Sequence, residues 1–158
     1  MSKSSAPIVA KLSARPTVRR ISAPPDAVWE VLSDGWSYAS WVVGSARIRA
    51  LNATWPEPGS RLHHSVGLWP VLLHDHTDVV SYEPNRQLVL APRAWPWGRS
   101  QVRIDVLHDG SQSLVRMTED VVSGPGTLVP SALRQLLLRR RNRECLRRLA
   151  FLAERRTP

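Results

Sequence analysis

Apolar and polar positions change period twice along this chain. Residues 17–22 alternate: Thr17, Arg19 and Ile21 share one face, Val18, Arg20 and Ser22 the other, as in a strand. Pro24-Pro25-Asp26 then opens a helix, with φ set in its first turn and Asp26 near the positive end of the dipole. Val28, Trp29, Val31 and Leu32 give that helix its buried side, and Asp34-Gly35 stops it. A second short helical segment is expected over 36–43, ended by Gly44. Period two returns in six segments, 46–53, 61–68, 71–82, 87–91, 100–107 and 114–122. Turns separate them at Pro56–Gly59, Trp69-Pro70, Glu83–Arg86, Pro92–Gly98 and His108–Ser111, the last with an Asp-Gly hairpin pair. The spacing predicts an antiparallel meander.

A long helical pattern over 131–155 closes the chain. Leu138, Asn142, Cys145, Leu149 and Leu152 fall on one stripe, with Arg140, Arg143, Arg147 and Arg155 on the other side. Glu144 is four residues from both Arg140 and Arg148 and can pair with either, so the arginine run reads as a solvated face. Leu133, Leu136 and Leu137 do not fit the stripe and are expected to meet a loop or a second subunit. One long helix must bury its apolar stripe, and the only partner the pattern offers is the sheet. Such a pairing leaves room for a cavity between the two.

At 158 residues the chain is expected to form one domain over 15–158, behind a polar, flexible tail over 1–14. No run approaches the ~18 apolar residues of a membrane span, and the first residues lack the apolar stretch of a secretory signal. Cys145 is the only cysteine, which excludes an internal disulfide and predicts a cytoplasmic setting with Cys145 as a small buried hydrophobe. The net charge of +9 sits at the ends. Residues 131–158 carry nine arginines against Glu144 and Glu154, and residues 1–20 carry five basic groups and no acid. The middle, 21–130, has eight basic and eleven acidic residues, and no nucleic-acid-reading motif is present, which argues against nucleic acid as the partner.

The element order, together with Ile21–Ser33, Trp41, Glu83–Leu88, Val115–Glu119 and Asn142–Leu146, resembles the SRPBCC superfamily, the START-like and polyketide cyclase/dehydrase-like proteins. The resemblance covers about 17–155. It implies an α+β helix-grip fold: a seven-stranded curved antiparallel sheet wrapped around a long C-terminal helix, with two short helices after the first strand. It also implies a small hydrophobic ligand, a lipid or polyketide-like molecule, held between sheet and helix. The superfamily has no shared catalytic motif, so no active-site residue is carried over from it.

Strand alternation assigns the inward faces. Leu62, His64, Val66 and Leu68 form one inward set, and Val71, Leu73, Asp75, Thr77 and Val79 a second. Val102, Ile104 and Val106 follow, then Val115, Met117, Glu119 and Val121, with Leu138 and Asn142 facing them from the helix. An apolar lining thus holds His64, Asp75, Glu119 and Asn142, and a carboxylate there must be paired, hydrogen-bonded or protonated. Glu119 and His64 are the candidate polar pair that orients a ligand's oxygens or, in an enzyme, the acid and base of a cyclisation or dehydration. Each also has a structural reading, Glu119 anchoring a loop or main-chain N–H, and Asp75 and Asn142 satisfying one another or nearby main chain. Trp69, Trp95 and Trp97, beside prolines in turns, are candidates to close the pocket mouth. His63 and His64 point to opposite faces, as do Asp75 and His76, which argues against a metal site, and no cofactor is expected.

Three functions follow in order. The first is binding of a small hydrophobic molecule. The second is a polyketide cyclase/aromatase-like enzyme using Glu119 and His64. The third is a lipid-handling module docked on an anionic membrane through its arginine-rich helix, as monomer or homodimer.

Overall fold

The computed structural model describes residues 11–157 apart from 69 and 95. β1 (Thr17–Ile21) leads into α1 (Pro25–Ser33), a single 3-10 turn at Gly35–Ser37 and α2 (Tyr38–Trp41). Six strands follow: β2 (Ser45–Leu51), β3 (Arg61–Leu68), β4 (Val71–Glu83), β5 (Gln87–Ala94), β6 (Gly98–Asp109) and β7 (Gln112–Ser123). After a 3-10 turn at Pro125–Leu128, α3 (Ser131–Glu154) closes the chain. The seven strands form one antiparallel sheet in the order β1-β7-β6-β5-β4-β3-β2. The architecture is the expected helix-grip fold.

Local chemistry accounts for the connections. Pro24 caps α1 and Pro25 occupies its first turn, where a missing N–H is not needed. Asp34 accepts from the Trp36 N–H at 3.1 Å, and the Ser37 hydroxyl donates to Val31 O and Asp34 O, turning the chain back towards the sheet. Asn85 takes the left-handed conformation (φ 58°) in the β4–β5 turn, which asparagine tolerates. Gly98 and Gly124 let the end of β7 lie against the start of β6. A Cβ on Gly98 would lie 2.0 Å from Ser123 O, so only glycine fits there.

The core lies under the second half of α3. Leu146, Leu149 and Ala153 pack with Val28, Val31 and Leu32 of α1 and with Leu62, Leu88, Ile104 and Val115 of the sheet. Trp29 and Trp41 are core residues, Trp29 meeting Tyr82 edge-on at 5.8 Å. Cys145 is buried, its Sγ accepting from the Val43 N–H at 3.3 Å, and burial pushes the thiol's pKa up.

Four sequence expectations change. The segment 92–98 is not wholly a loop, because β5 continues through Ala94 with Pro92 paired to Thr77. The expected helix over 36–43 is a 3-10 turn followed by one turn of α-helix, limited by Asp34 and Ser37. Val71 and Leu73 stand on the expected face of β4 but are exposed, since the β3–β4 hairpin runs past the end of the core. The hollow, finally, does not run beneath the whole closing helix. It lies only under the first half, because apolar side chains fill the space beneath the second.

Candidate functional site

A cleft of about 300 Å³ opens between the first half of α3 and the inner face of the sheet. β3 contributes His64 and Val66, β5 Pro92 and Ala94, β6 Ser100, and β7 Glu119 and Val121. Tyr38 and Val42 close one side, Leu138 and Arg141 of α3 the other, and Trp97 stands at the β5–β6 turn. A deeper hollow of about 10 Å³, room for about one water, is lined by Val102, Met117, Asn142 and Cys145. Glu119 and Arg141 line both spaces and so partition them.

The partition is an ion pair. Arg141 Nη1 donates to both Glu119 oxygens at 2.9 and 2.8 Å, and its Nε donates to Val43 O at 3.0 Å. Ser100 Oγ adds a longer bond to Glu119 Oε1 at 3.3 Å. Glu119 reaches this position because β7 alternation carries it inward with Val115 and Met117, opposite Val102 of β6. Its carboxylate is buried, and a buried carboxylate needs a counter-charge. Arg141 provides it. The charge of the Glu119 carboxylate, with its hydrogen bond as a smaller addition, outweighs the lowering effect of burial and holds the guanidinium's pKa up.

A second polar chain forms the facing wall. Thr77 Oγ1 lies 3.1 Å from both Tyr38 Oη and His64 Nε2. Burial pushes the Tyr38 hydroxyl up to about 12 and the His64 imidazole down to about 4, the latter partly opposed by Asp75, its cross-strand partner. His64 is therefore neutral at physiological pH. Its Nδ1 is buried without a hydrogen-bond partner among the described residues. If Nε2 accepts from Thr77, Nδ1 is a donor; if Nε2 donates, Nδ1 is an acceptor. Either way the ring has one hydrogen bond left to make.

His64, Val66, Trp97, Glu119 and Leu138, singled out in the sequence, line the cleft, and Val102, Met117 and Asn142 line the inner hollow. Asn142 Oδ1 is buried there without a partner among the described residues. Leu62 and Ile104 are packed in the core, and Thr77 acts through the hydroxyl chain. Asp75 is buried and accepts from the His76 N–H at 2.9 Å, and Leu73 is exposed and lines neither space. Trp69 and Trp95 lie outside the described residues. Glu119 and His64 do not bond each other: the first is held by Arg141, the second by Thr77.

Sequence reasoning missed Arg141, Tyr38 and Ser100. The signal for Arg141 was present: it stands three residues after Leu138 and four before Cys145, on the inward stripe itself. Treating the arginine run as one solvated face hid it.

A family profile described as polyketide cyclase/dehydrase and lipid transport matches residues 14–154. None of the curated proteins matches the chain in sequence. Among solved structures, the chain is similar to the Zhui aromatase/cyclase from Streptomyces sp. R1128, at 21% identity and a TM-score of 0.70, over 94% of this chain and 97% of that one. It is also similar to a START superfamily protein from Mycobacterium smegmatis, at 17% identity and a TM-score of 0.70, over 90% and 98% of the two chains. DynU16, a putative protein in the dynemicin biosynthetic locus, is 21% identical with a TM-score of 0.62, over 88% of this chain and 46% of that one. At such identities the structural likeness speaks for the fold, and the profile, which spans nearly the whole chain, speaks for the family. The protein belongs to the polyketide cyclase/dehydrase and lipid transport family.

Proposed function

We propose that the protein binds a small, mainly apolar molecule bearing at least one hydrogen-bonding oxygen, in the cleft between β3, β5, β7 and the first half of α3. The observation that carries this reading is the combination, around one cleft, of an unspent hydrogen-bonding atom and a guanidinium with apolar surface. His64 Nδ1 is buried with no hydrogen-bond partner among the described residues and the Arg141 guanidinium lines the same cleft, while Val42, Val66, Val121 and Leu138 supply the apolar part. A buried polar atom with no partner is costly, and a ligand oxygen is one way to satisfy it.

Two measurements test this. Native mass spectrometry of the full chain from its own host should reveal a co-purifying apolar molecule. Titration with naphthoic acid and with naphthalene should separate the polar contact from the apolar one. Arg141→Met is expected to weaken the acid roughly tenfold, as for a charged hydrogen bond, and to leave the hydrocarbon unchanged. Leu138→Trp, which fills the cleft, should abolish both. Equal loss of both probes in Arg141→Met, or none in Leu138→Trp, refutes the reading.

An enzymatic reading, cyclisation or dehydration of a poly-ketone, is supported by the family's description and by the free Nδ1 of His64. It ranks second on chemistry. An imidazole pushed down to about 4 is a weak base at neutral pH, and both Glu119 oxygens are engaged by Arg141. Turnover of a poly-ketone thioester that is lost in both His64→Ala and Glu119→Gln, with binding retained, would reverse the ranking.

A further inference from the structure

The first half of α3 carries a surface that the cleft does not use. Leu133, Leu136 and Leu137 are 49%, 52% and 55% exposed, and Leu128 in the preceding 3-10 turn is 85% exposed. On a helix of 3.6 residues per turn these three α3 leucines point away from the sheet, opposite Asn142 and Leu149. Nothing in the fold requires four exposed leucines, and single exposed leucines would need no explanation, but a cluster does. The Gly126 N–H donates to Trp97 O at 2.8 Å, so the turn bearing Leu128 is tied to the turn bearing Trp97 at the cleft.

Beside the leucines runs a depression of about 680 Å³ lined by Arg15, Gln135, Leu136, Arg139, Arg140 and Arg143. No carboxylate lines it. None of its four arginines has an ion-pair partner among the described residues, whereas Arg134, Arg141, Arg147 and Arg148 of the same helix are all paired. The sequence from 121 to 143 contains no acidic residue at all. Four unpaired guanidinium groups beside exposed leucines match a surface that is anionic outside and apolar just beneath. An anionic bilayer is such a surface, its phosphates meeting arginine and its acyl boundary meeting leucine.

We infer that the exposed first half of α3 is a docking surface for anionic bilayers, with Leu128, Leu133, Leu136 and Leu137 entering the headgroup boundary and Arg15, Arg139, Arg140 and Arg143 holding lipid phosphates. This surface adjoins the cleft through Leu137-Leu138 and the Trp97 turn, so docking brings the cleft mouth to the membrane. The inference concerns where the protein sits and does not depend on what the cleft holds.

The test is co-sedimentation of the full chain with vesicles of phosphatidylcholine alone and of phosphatidylcholine with 30% phosphatidylglycerol, at 50 and 300 mM salt. Binding is expected to the anionic vesicles only and to weaken with salt. An arginine near an anionic surface contributes roughly fivefold in affinity, so Arg139→Glu/Arg140→Glu/Arg143→Glu should weaken binding at least about a hundredfold. Leu133→Ser/Leu136→Ser/Leu137→Ser should reduce it at least tenfold while leaving thermal unfolding and naphthoic acid binding unchanged, because these side chains are outside the core and the cleft. Absence of vesicle binding at 50 mM salt overturns the inference. So does binding that survives the leucine substitutions, or a concentration-dependent dimer in sedimentation velocity that those substitutions abolish without any vesicle binding, which would make the face a contact with a second copy.

Discussion

α3 is one continuous helix with two halves that behave differently. From Asn142 to Ala153 its inward residues are buried, and Leu146 and Leu149 are fully shielded against α1 and the sheet. From Ser131 to Arg141 the same residue type, leucine, is mostly in solvent, and the sheet beneath is held off by a cleft. The first half is attached by polar bonds instead. Arg134 pairs with Asp120 at 2.7 Å and donates to Val129 O, Gln135 donates to the Glu119 carbonyl, and Arg141 pairs with Glu119. One half of the helix stabilises the fold through apolar area, and the other half is positioned by a few directional contacts that leave space. A site can exist only where the packing stops.

The contrast can be broken most severely in the buried half. Leu149→Ala removes a fully buried side chain beneath α1 and should cost about 3 kcal/mol in urea unfolding, within the usual range for such truncations. Next comes the partition. Glu119→Gln leaves the Arg141 charge without its partner and should cost about 2 kcal/mol, less than a fully enclosed pair because the cleft side admits water. Glu119→Gln/Arg141→Met should recover part of that loss, and a double-mutant cycle measures the coupling.

A smaller effect comes from the facing wall. His64 has a folded pKa near 4, below its ordinary 6.5, so above pH 6.5 neither state is protonated and this group adds no pH dependence. As pH falls from 6.5 towards 4 the unfolded chain takes up a proton that the folded chain refuses, and stability drops. At pH 5.5 the loss from this group should be about 1 kcal/mol, and His64→Gln should remove that part of the slope. His76, also held below its ordinary value chiefly by burial, contributes with the same sign and should remain in the variant. The smallest effect is expected in the exposed half: Leu137→Ala should change stability by less than about 0.5 kcal/mol. A loss there comparable to Leu149→Ala would erase the distinction between the two halves.

The alternation of β7 placed Glu119 inward with Val115 and Met117, and the burial of these three agrees with it. The same rule put Leu73 inward with Asp75 and Thr77, and it shares their face, yet Leu73 is exposed because the hairpin overruns the core. Periodicity reports which residues share a face but not what that face meets. Arg141 shows the converse. Its position on the inward stripe could be read from its spacing to Leu138 and Cys145, but its counter-charge lies 22 residues away on another element. Pro92, read as part of a loop, lies in β5 and faces the cleft, held there by a register with Thr77 that no local pattern encodes.

The chain by itself determined the seven strands, the closing helix, the inward-facing sets of β3, β4, β6, β7 and that helix, and the presence of a buried carboxylate at Glu119, because these follow from side-chain period and turn chemistry within a few residues. Only the tertiary structure decided where the interior is filled and where it is open, which carboxylate Arg141 pairs with, and how far Leu133, Leu136 and Leu137 stay in solvent. Those outcomes depend on how far the helix extends beyond the core packed beneath it, which is set by contacts between segments distant in sequence.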